Sequence, residues 1–233
     1  MRAFFRYLEQ PNFPPRYNVA PTQPIPVVRL WQSSRQFALV RWGLVPAWVK
    51  DPRTFSLVIN ARGDSVLDKP AFRAAMRWRR CLVPADGFYE WKTEGERRRP
   101  FAIRPRAGGP IAFAGLWEVW TGSNGEEVET AAIVTTQANR TLQPLHDRMP
   151  VVLAPEAYDM WLDCRNVRAD VASALIAPAP ENFFEAYEVS PAVNRTANDS
   201  ADLLVPASEQ PPEPERAVKQ TKPKAGDRQG SLF

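Results

Sequence analysis

The chain has 233 residues, a length that suits one domain with a tail or two small domains. It is 44% hydrophobic, with 12 Phe and 8 Trp, which is ample for a packed core, yet no apolar run approaches the ~18 residues of a membrane span. Cys81 and Cys164 form neither a disulfide framework nor a zinc pattern, and with a single histidine no metal site and no cofactor are expected, in a chain suited to a reducing cytoplasm.

Taken in chain order, Met1-Arg2-Ala3-Phe4-Phe5-Arg6 has no signal-peptide character. Residues 3–10 read as the end of a short helix, with Phe4, Phe5 and Leu8 on one face but no N-cap or first turn before them. Residues 12–26 are proline-rich and extended. Residues 27–30 and 37–42 read as a hairpin joined near Ser33-Ser34, and residues 55–59 as a further strand ending at Asn60. Residues 69–80 have helical spacing. Cys81-Leu82-Val83 starts a strand that resumes over 88–91 after Asp86-Gly87, and 101–104, 111–117 and 131–135 are also strand-like. Pro155-Glu156 opens a helix through Leu162, and 167–176 has helical spacing. This succession specifies an α+β single domain, a curved antiparallel β-sheet with a barrel-like core flanked by short helices, spanning residues 1–206.

After about Pro206 the chain turns to Glu, Pro, Lys and Gln, so 207–233 is expected to be a disordered tail. It ends in Gln229-Gly230-Ser231-Leu232-Phe233, two apolar side chains on a solvated tether. That ending is similar to the Gln-x-Ser/Asp-Leu-Phe peptides that bacterial proteins insert into the replicative sliding clamp, with Gln229, Leu232 and Phe233 as the anchors.

The net charge is +4 and the pI about 9.3, and arginine supplies most of the positive charge. Arginine is the better fork for phosphate. Arg77-Trp78-Arg79-Arg80, and Arg41-Trp42 with Trp48, interleave it with aromatic rings, as proteins that hold unpaired bases do. The plainer reading is that the tryptophans are core and the arginines solvated. His146, in Leu145-His146-Asp147-Arg148-Met149-Pro150, is either a surface or capping residue beside a turn or the chain's one neutral-pH proton carrier. No Gly-x-Ser-x-Gly elbow occurs, and Asp147, the immediate neighbour of His146, is expected to be badly placed to orient its ring as a hydrolase triad would.

Four segments stand out: Arg16-Tyr17-Asn18-Val19-Ala20-Pro21-Thr22-Gln23; Trp42-Gly43-Leu44-Val45-Pro46-Ala47-Trp48 with Ile59-Asn60-Ala61-Arg62; Arg80-Cys81-Leu82-Val83-Pro84-Ala85-Asp86-Gly87-Phe88-Tyr89-Glu90-Trp91; and His146-Asp147-Arg148-Met149-Pro150. In this order the chain resembles the SOS-response-associated peptidase family, also called abasic-site-processing proteins, over roughly residues 12–206.

The resemblance implies a bacterial, replication-associated monomer with no membrane partner, binding single-stranded DNA in a basic channel. There the ring-opened aldehyde of an abasic sugar condenses with the amine and thiol of an N-terminal cysteine to give a thiazolidine crosslink. It implies catalytic roles for Asn60, Glu90 and His146, phosphate contacts from Arg62 and Arg148, and base stacking on Trp48, with Asn18 and Pro21 also at the strand-binding face. Taken singly, Glu90 could instead pair with Lys92 or Arg99, Asn60 could be a strand-ending turn residue, and Arg62 could be solvated. Two other functions stay open: a binding module for single strands, and a protease limited to removing its own initiator methionine.

One departure is plain. The family pattern begins Met-Cys-Gly-Arg, whereas this chain begins Met1-Arg2-Ala3. A start about fifteen residues late, in mid-element, is expected from the missing cap and first turn; the alternative is a variant that binds DNA without crosslinking. Cys81 and Cys164 cannot substitute, because a thiazolidine needs the amine and thiol of one residue, and both read as small buried side chains.

Overall fold

The computed structural model describes residues 1–12 and 14–209. Four short α-helices, α1 (Arg2–Phe5), α2 (Arg73–Trp78), α3 (Tyr158–Leu162) and α4 (Ala169–Ser173), accompany eleven strands. The strands are β1 (Pro24–Trp31), β2 (Ser34–Trp42), β3 (Asn60–Arg62), β4 (Arg80–Ala85), β5 (Phe88–Glu94), β6 (Arg97–Pro105), β7 (Ile111–Thr121), β8 (Glu127–Gln137), β9 (Arg148–Pro150), β10 (Val152–Leu153) and β11 (Phe184–Glu188). The protein is α+β, as its sequence specifies.

β1 and β2 form the expected hairpin, with Trp31 opposite Ser34. Its two turn residues, Gln32 and Ser33, both have positive φ, 47° and 65°, the sign that matches the right-handed twist of the flanking strands. β4 pairs with β1 and β7, β7 pairs with β8, and β8 pairs with β2, so β7-β4-β1-β2-β8 closes into a barrel without free edges. Four of these pairings are antiparallel. The fifth, β2 with β8, is parallel over Arg41↔Thr130 and Trp42↔Ala131, and the short β3 also adds to β8 in parallel.

A second, three-stranded sheet, β11-β6-β5, lies against the barrel. Phe88 projects from it, edge-on to Phe113 of β7 at 5.8 Å and to Phe184 at 5.6 Å. The other side of the barrel wall is covered by the helices, through Met76, Tyr158 and Trp161. β4 and β7 are therefore apolar on both faces: Leu82 and Ala114 face the helices, while Cys81, Val83 and Phe113 join Ile103 and Phe184. That double coverage is why they read as continuous apolar runs rather than as alternating strands.

Several elements are shorter than their spacing suggests. α1 stops at Arg6, whose φ of 57° is left-handed, and Phe5 is then fixed by burial and by stacking on Tyr158 at 5.9 Å. The helix expected over 69–80 is α2 alone, preceded by a turn in which the Phe72 and Arg73 N–H groups both donate to the Lys69 carbonyl. The helix expected from Pro155 is a 3₁₀ turn, Pro155–Ala157, followed by α3, and that expected over 167–176 is α4. Residues 55–59 are extended but unpaired as a strand; pairing begins at Asn60, so this expectation is displaced toward the C-terminus. Val58 and Ile59 still give carbonyl oxygens to Leu44 and Ile133.

The Arg77–Arg80 cluster divides. Trp78 is about half exposed, with the Arg77 guanidinium 4.7 Å from its ring. Arg79 pairs with Glu118 at 2.6 Å. Arg80 is buried, its guanidinium donating to the carbonyls of Met76, Trp161, Asp163 and Val167 at 2.5–3.0 Å, so it ties the ends of α2 and α3 together and is not available to phosphate. Burial lowers its affinity for a proton, and Cys164 and Asp163 oppose that shift.

Of the tail expected from 207, Ala207–Glu209 is a 3₁₀ turn; residues 210–233, with Gln229, Leu232 and Phe233, lie outside the described residues. Among the described residues no helix is long and apolar enough to cross a membrane.

Candidate functional site

Glu90 is placed by strand alternation. Phe88 and Glu90 point from β5 toward the barrel, while Tyr89 and Trp91 point the other way, onto Ala102, Val189, Val193 and Leu203. The two bases offered as plain ion-pair partners are engaged elsewhere. Lys92 pairs with Glu94 at 2.5 Å, and Arg99 pairs with Glu94 and Glu188. Burial therefore pushes the Glu90 carboxyl above the usual carboxylate range, with His146, the Trp91 N–H and Arg98 pulling it down and Asp147 pushing it up. Glu90 and His146 are thus close enough to sense each other's charge.

His146 stands at the entry to β9, about half exposed. Its Nδ1 accepts from the Arg148 N–H at 3.0 Å, with the Arg148 carbonyl oxygen and Asp147 Oδ1 each at 3.2 Å. Asp147 Oδ1 approaches Nδ1, but that nitrogen accepts from the Arg148 N–H and the carboxylate is almost wholly solvent-exposed, so Asp147 does not hold the ring as a triad acid would. With Nδ1 accepting from the Arg148 N–H, the neutral ring carries its proton on Nε2.

Arg148 pairs with Asp64, whose carboxyl also feels the charge of Arg62. β8 carries β3 on one side and β9 on the other, with Thr135 opposite Arg62 and Pro150, and Gln137 opposite Arg148. The Arg148 guanidinium folds back onto β8, donating from Nε to Thr135 Oγ1 at 3.2 Å and from Nη2 to the Thr135 carbonyl at 2.7 Å. Nη1 donates to Asp64 Oδ2 at 3.2 Å. Arg62 is exposed beside them. Partial desolvation raises the Asp64 pKa, but hydrogen bonds from Ser65 and Arg148 and the charges of Arg148 and Arg62 outweigh it and hold the carboxyl below its usual range.

Asn60 opens β3 opposite Ile133, with its side chain in solvent. It begins a strand rather than ending one. The Ile59 carbonyl before it accepts from Trp42 Nε1 at 3.0 Å. Among the described residues no hydrogen bond joins Asn60 to Glu90 or His146. Gly43, after Trp42, has a φ of 139°, a backbone conformation that favours glycine, with a Cβ position 2.6 Å from the exposed Leu57 Cδ1.

Trp48 is 60% exposed, edge-on to Phe55 at 5.7 Å. Its loop has a small core of its own, Val45, Val49 and Trp120, where Trp120 Nε1 donates to the Val49 carbonyl at 2.6 Å. Asn18 is buried: its amide donates to the carbonyls of Val193, Arg195 and Asn198 at 3.0–3.2 Å, and Asp199 accepts from the Tyr17 and Asn18 N–H groups. Pro21 is half-buried in the turn that follows. Cys81 is buried with its thiol pushed up by desolvation, and burial raises the Cys164 thiol as well. Among the described residues no group of His, Cys, Asp and Glu could hold a metal ion.

The sequence motifs did not single out Asp64, Thr135 or Arg98. The signal available for Asp64 was its position two residues beyond Arg62.

A barrel of mixed strands presenting an acid, a histidine and two arginines from β3, β5 and β9 defines a family, and comparison with known proteins identifies it. The family model for SOS response associated peptidase (SRAP) matches residues 2–196, and the chain belongs to that family. It is 38% identical over 200 residues to abasic site processing protein YoaM of Bacillus subtilis, covering 85% of this chain and 88% of YoaM. It is 33% identical to abasic site processing protein HMCES of Mus musculus, covering 83% of this chain and 65% of HMCES. Among solved structures, a Bacteroides thetaiotaomicron protein superposes with a TM-score of 0.67 at 29% identity, covering 73% of this chain and 75% of its own. A Bordetella bronchiseptica protein at 24% identity, covering 82% and 94%, shares the fold with a TM-score of 0.72.

Proposed function

We propose that the protein acts on abasic sites in single-stranded DNA and, when an N-terminal cysteine is present, captures them as a thiazolidine crosslink. The observation that carries the reading is the half-buried Glu90, its proton affinity raised by desolvation, beside the chain's one histidine.

The chemistry fits those two groups. His146 donates a proton to the ring oxygen of the abasic sugar while the anomeric hydroxyl gives its own to the Glu90 carboxylate, and the ring opens to the aldehyde. The amine adds to that carbon and its proton passes to the carbonyl oxygen. The resulting carbinol oxygen takes a second proton from Glu90 and leaves as water, and as the thiol closes on the iminium carbon its proton returns to the Glu90 carboxylate. Asn60, uncharged and exposed, holds the amine or the developing hydroxyl. A carboxyl whose proton affinity is raised by burial can serve both directions of proton transfer.

Arg62 and Arg148 hold the phosphates flanking the lesion and Trp48 stacks on a base. Pro21 shapes the edge of the channel, and Asn18 supports it by pinning 193–199 beneath the Pro21 turn. The protein works as a monomer in the bacterial cytoplasm at replicating DNA. There Gln229, Leu232 and Phe233 dock on the sliding clamp, a role that a fluorescent 224–233 peptide would test by binding purified clamp.

A second reading, a single-strand binding module that does not crosslink, draws on the thiols inside the chain, Cys81 buried and Cys164 partly buried, both with raised proton affinity and neither beside a free amine. One experiment separates the two. The chain, with and without Met-Cys-Gly-Arg ahead of it, is mixed with a single strand carrying one abasic site and run on a denaturing gel. A heat-stable shifted band from the extended form alone supports capture. No band from either form, with binding intact, leaves the module.

A further inference from the structure

We infer that Asp64 is a built-in anion that occupies the phosphate-binding edge of Arg148 when no strand is bound, so that nucleic acid must exchange with it. This rests on the assignment of Arg62 and Arg148 to phosphate made above.

The geometry leaves Arg148 one edge to offer. Its side chain is only 15% exposed, and Nε and one Nη2 hydrogen are committed to Thr135. What remains is the side toward Nη1, and the Asp64 carboxylate is there at 3.2 Å. Asp64 itself is 63% exposed, so it is free to swing away. It is also ionised throughout the neutral range, because Ser65, Arg148 and Arg62 together favour its charged form over the opposing desolvation.

The turn that carries Asp64 is set tightly. A Cβ on Gly63 would collide with Ile176 Cγ2 and lie 3.2 Å from the Thr135 carbonyl oxygen, the same oxygen that Arg148 Nη2 binds. The turn is thereby pressed onto β8, and the acid is delivered to the guanidinium by backbone packing rather than by chance of a long side chain.

The consequence is electrostatic. With Asp64 in place the trio of Arg62, Arg148 and Asp64 carries one net positive charge; without it the same site carries two. A strand phosphate therefore meets a half-neutralised site, which weakens adventitious binding of undamaged single strands.

The test is fluorescence anisotropy with a labelled abasic single strand, titrated from low to high salt, on the wild-type chain, Asp64→Asn, Arg148→Gln and the double variant. Asp159→Asn makes the same charge change at another exposed acid, paired with Arg35 at 2.6 Å. Asp64→Asn is expected to bind about three- to fivefold tighter near 0.1 M salt. Its log–log salt slope should steepen by up to roughly 0.7, because in wild type the cation gathered by the displaced Asp64 carboxylate offsets one released from the strand. Asp159→Asn should behave as wild type, and the gain should shrink in the Arg148→Gln background. If wild type binds with Arg148 dependence and Asp64→Asn binds no tighter, the acid positions Arg148 and the exchange is overturned while the phosphate site stands. If wild type shows no salt-dependent binding, or Arg148→Gln binds as well as wild type, the phosphate site itself falls and the exchange with it.

Discussion

Arg148 Nη2 donates to the backbone carbonyl of Thr135 at 2.7 Å, while Nε reaches the same residue's hydroxyl at 3.2 Å. One residue of β8 thus orients the guanidinium through two acceptors, one of which no substitution can remove. Thr135→Val keeps the shape and the carbonyl bond and deletes the hydroxyl. It is expected to weaken single-strand binding about three- to tenfold, the worth of one side-chain hydrogen bond. Arg148→Lys should weaken it further, because an ammonium cannot satisfy Thr135 and Asp64 with a planar fork. Equilibrium anisotropy at fixed salt checks both.

Glu90 has a defined pH signature. Its carboxyl is raised above the ordinary value of 4.5 chiefly by desolvation, so the folded state binds that proton more tightly than the unfolded chain. The stabilisation from protonated Glu90 is fully present below about pH 4.5 and is lost as pH rises through the raised folded-state pKa. Glu90→Gln mimics the protonated form. It should melt on the order of 2 °C above wild type at pH 7 and converge with it at pH 4, while crosslinking by the cysteine-extended form slows at least tenfold. Melting curves at the two pH values, with a timed gel, decide it. A variant less stable at pH 7 would show that ionised Glu90 is favourably paired.

How much of this was legible follows from where each partner lies in the chain. Glu90 and His146 sit in distinctive local motifs, and β4 and β7 announce double burial by unbroken apolar runs. Arg80 was read with its neighbours as a candidate base and phosphate contact, yet three of its four carbonyl partners come from residues 161–167, more than eighty positions on. Asp64 looks neutral beside Arg62 until Arg148, 84 residues later, is folded against it. Asn18 lies in a motif that suggests a strand contact, and its burial depends on a loop about 175–180 residues away. Helix ends were misjudged where a turn or a left-handed residue, as at Arg6, overrides the apolar spacing.

Arg80 offers a test independent of nucleic acid. Arg80→Met removes the donors for four carbonyls at the ends of α2 and α3, leaving buried acceptors unpaired. A loss of about 3 kcal/mol or more in urea denaturation is expected, typical of breaking a buried charge network. Arg80→Lys should recover little of it, since one ammonium cannot span four carbonyls. Arg77→Ala, on the exposed ring of Trp78, should change stability by under about 0.5 kcal/mol.

Trp48 and Trp120 divide display from support. Trp48 projects into solvent, touching Phe55 by one edge, so Trp48→Ala removes little buried contact. If it stacks on a base, the substitution costs about 1–3 kcal/mol of binding, roughly five- to 150-fold in affinity, with the melting temperature almost unchanged. Trp120 is buried and bonded to the Val49 carbonyl at 2.6 Å, holding the loop on which Trp48 stands. Trp120→Phe keeps most of the packing but strands that carbonyl, so it should lower stability by about 1–3 kcal/mol and loosen the loop. A loosened loop must be ordered again at each binding event, which predicts a moderate loss of affinity with Trp48 still present. In the Trp48→Ala background that loss should disappear, because there is no longer a ring to position. Affinities and melting curves of the four proteins, wild type, each single and the double, measure this coupling, and additive losses would show that Trp120 acts on binding by another route.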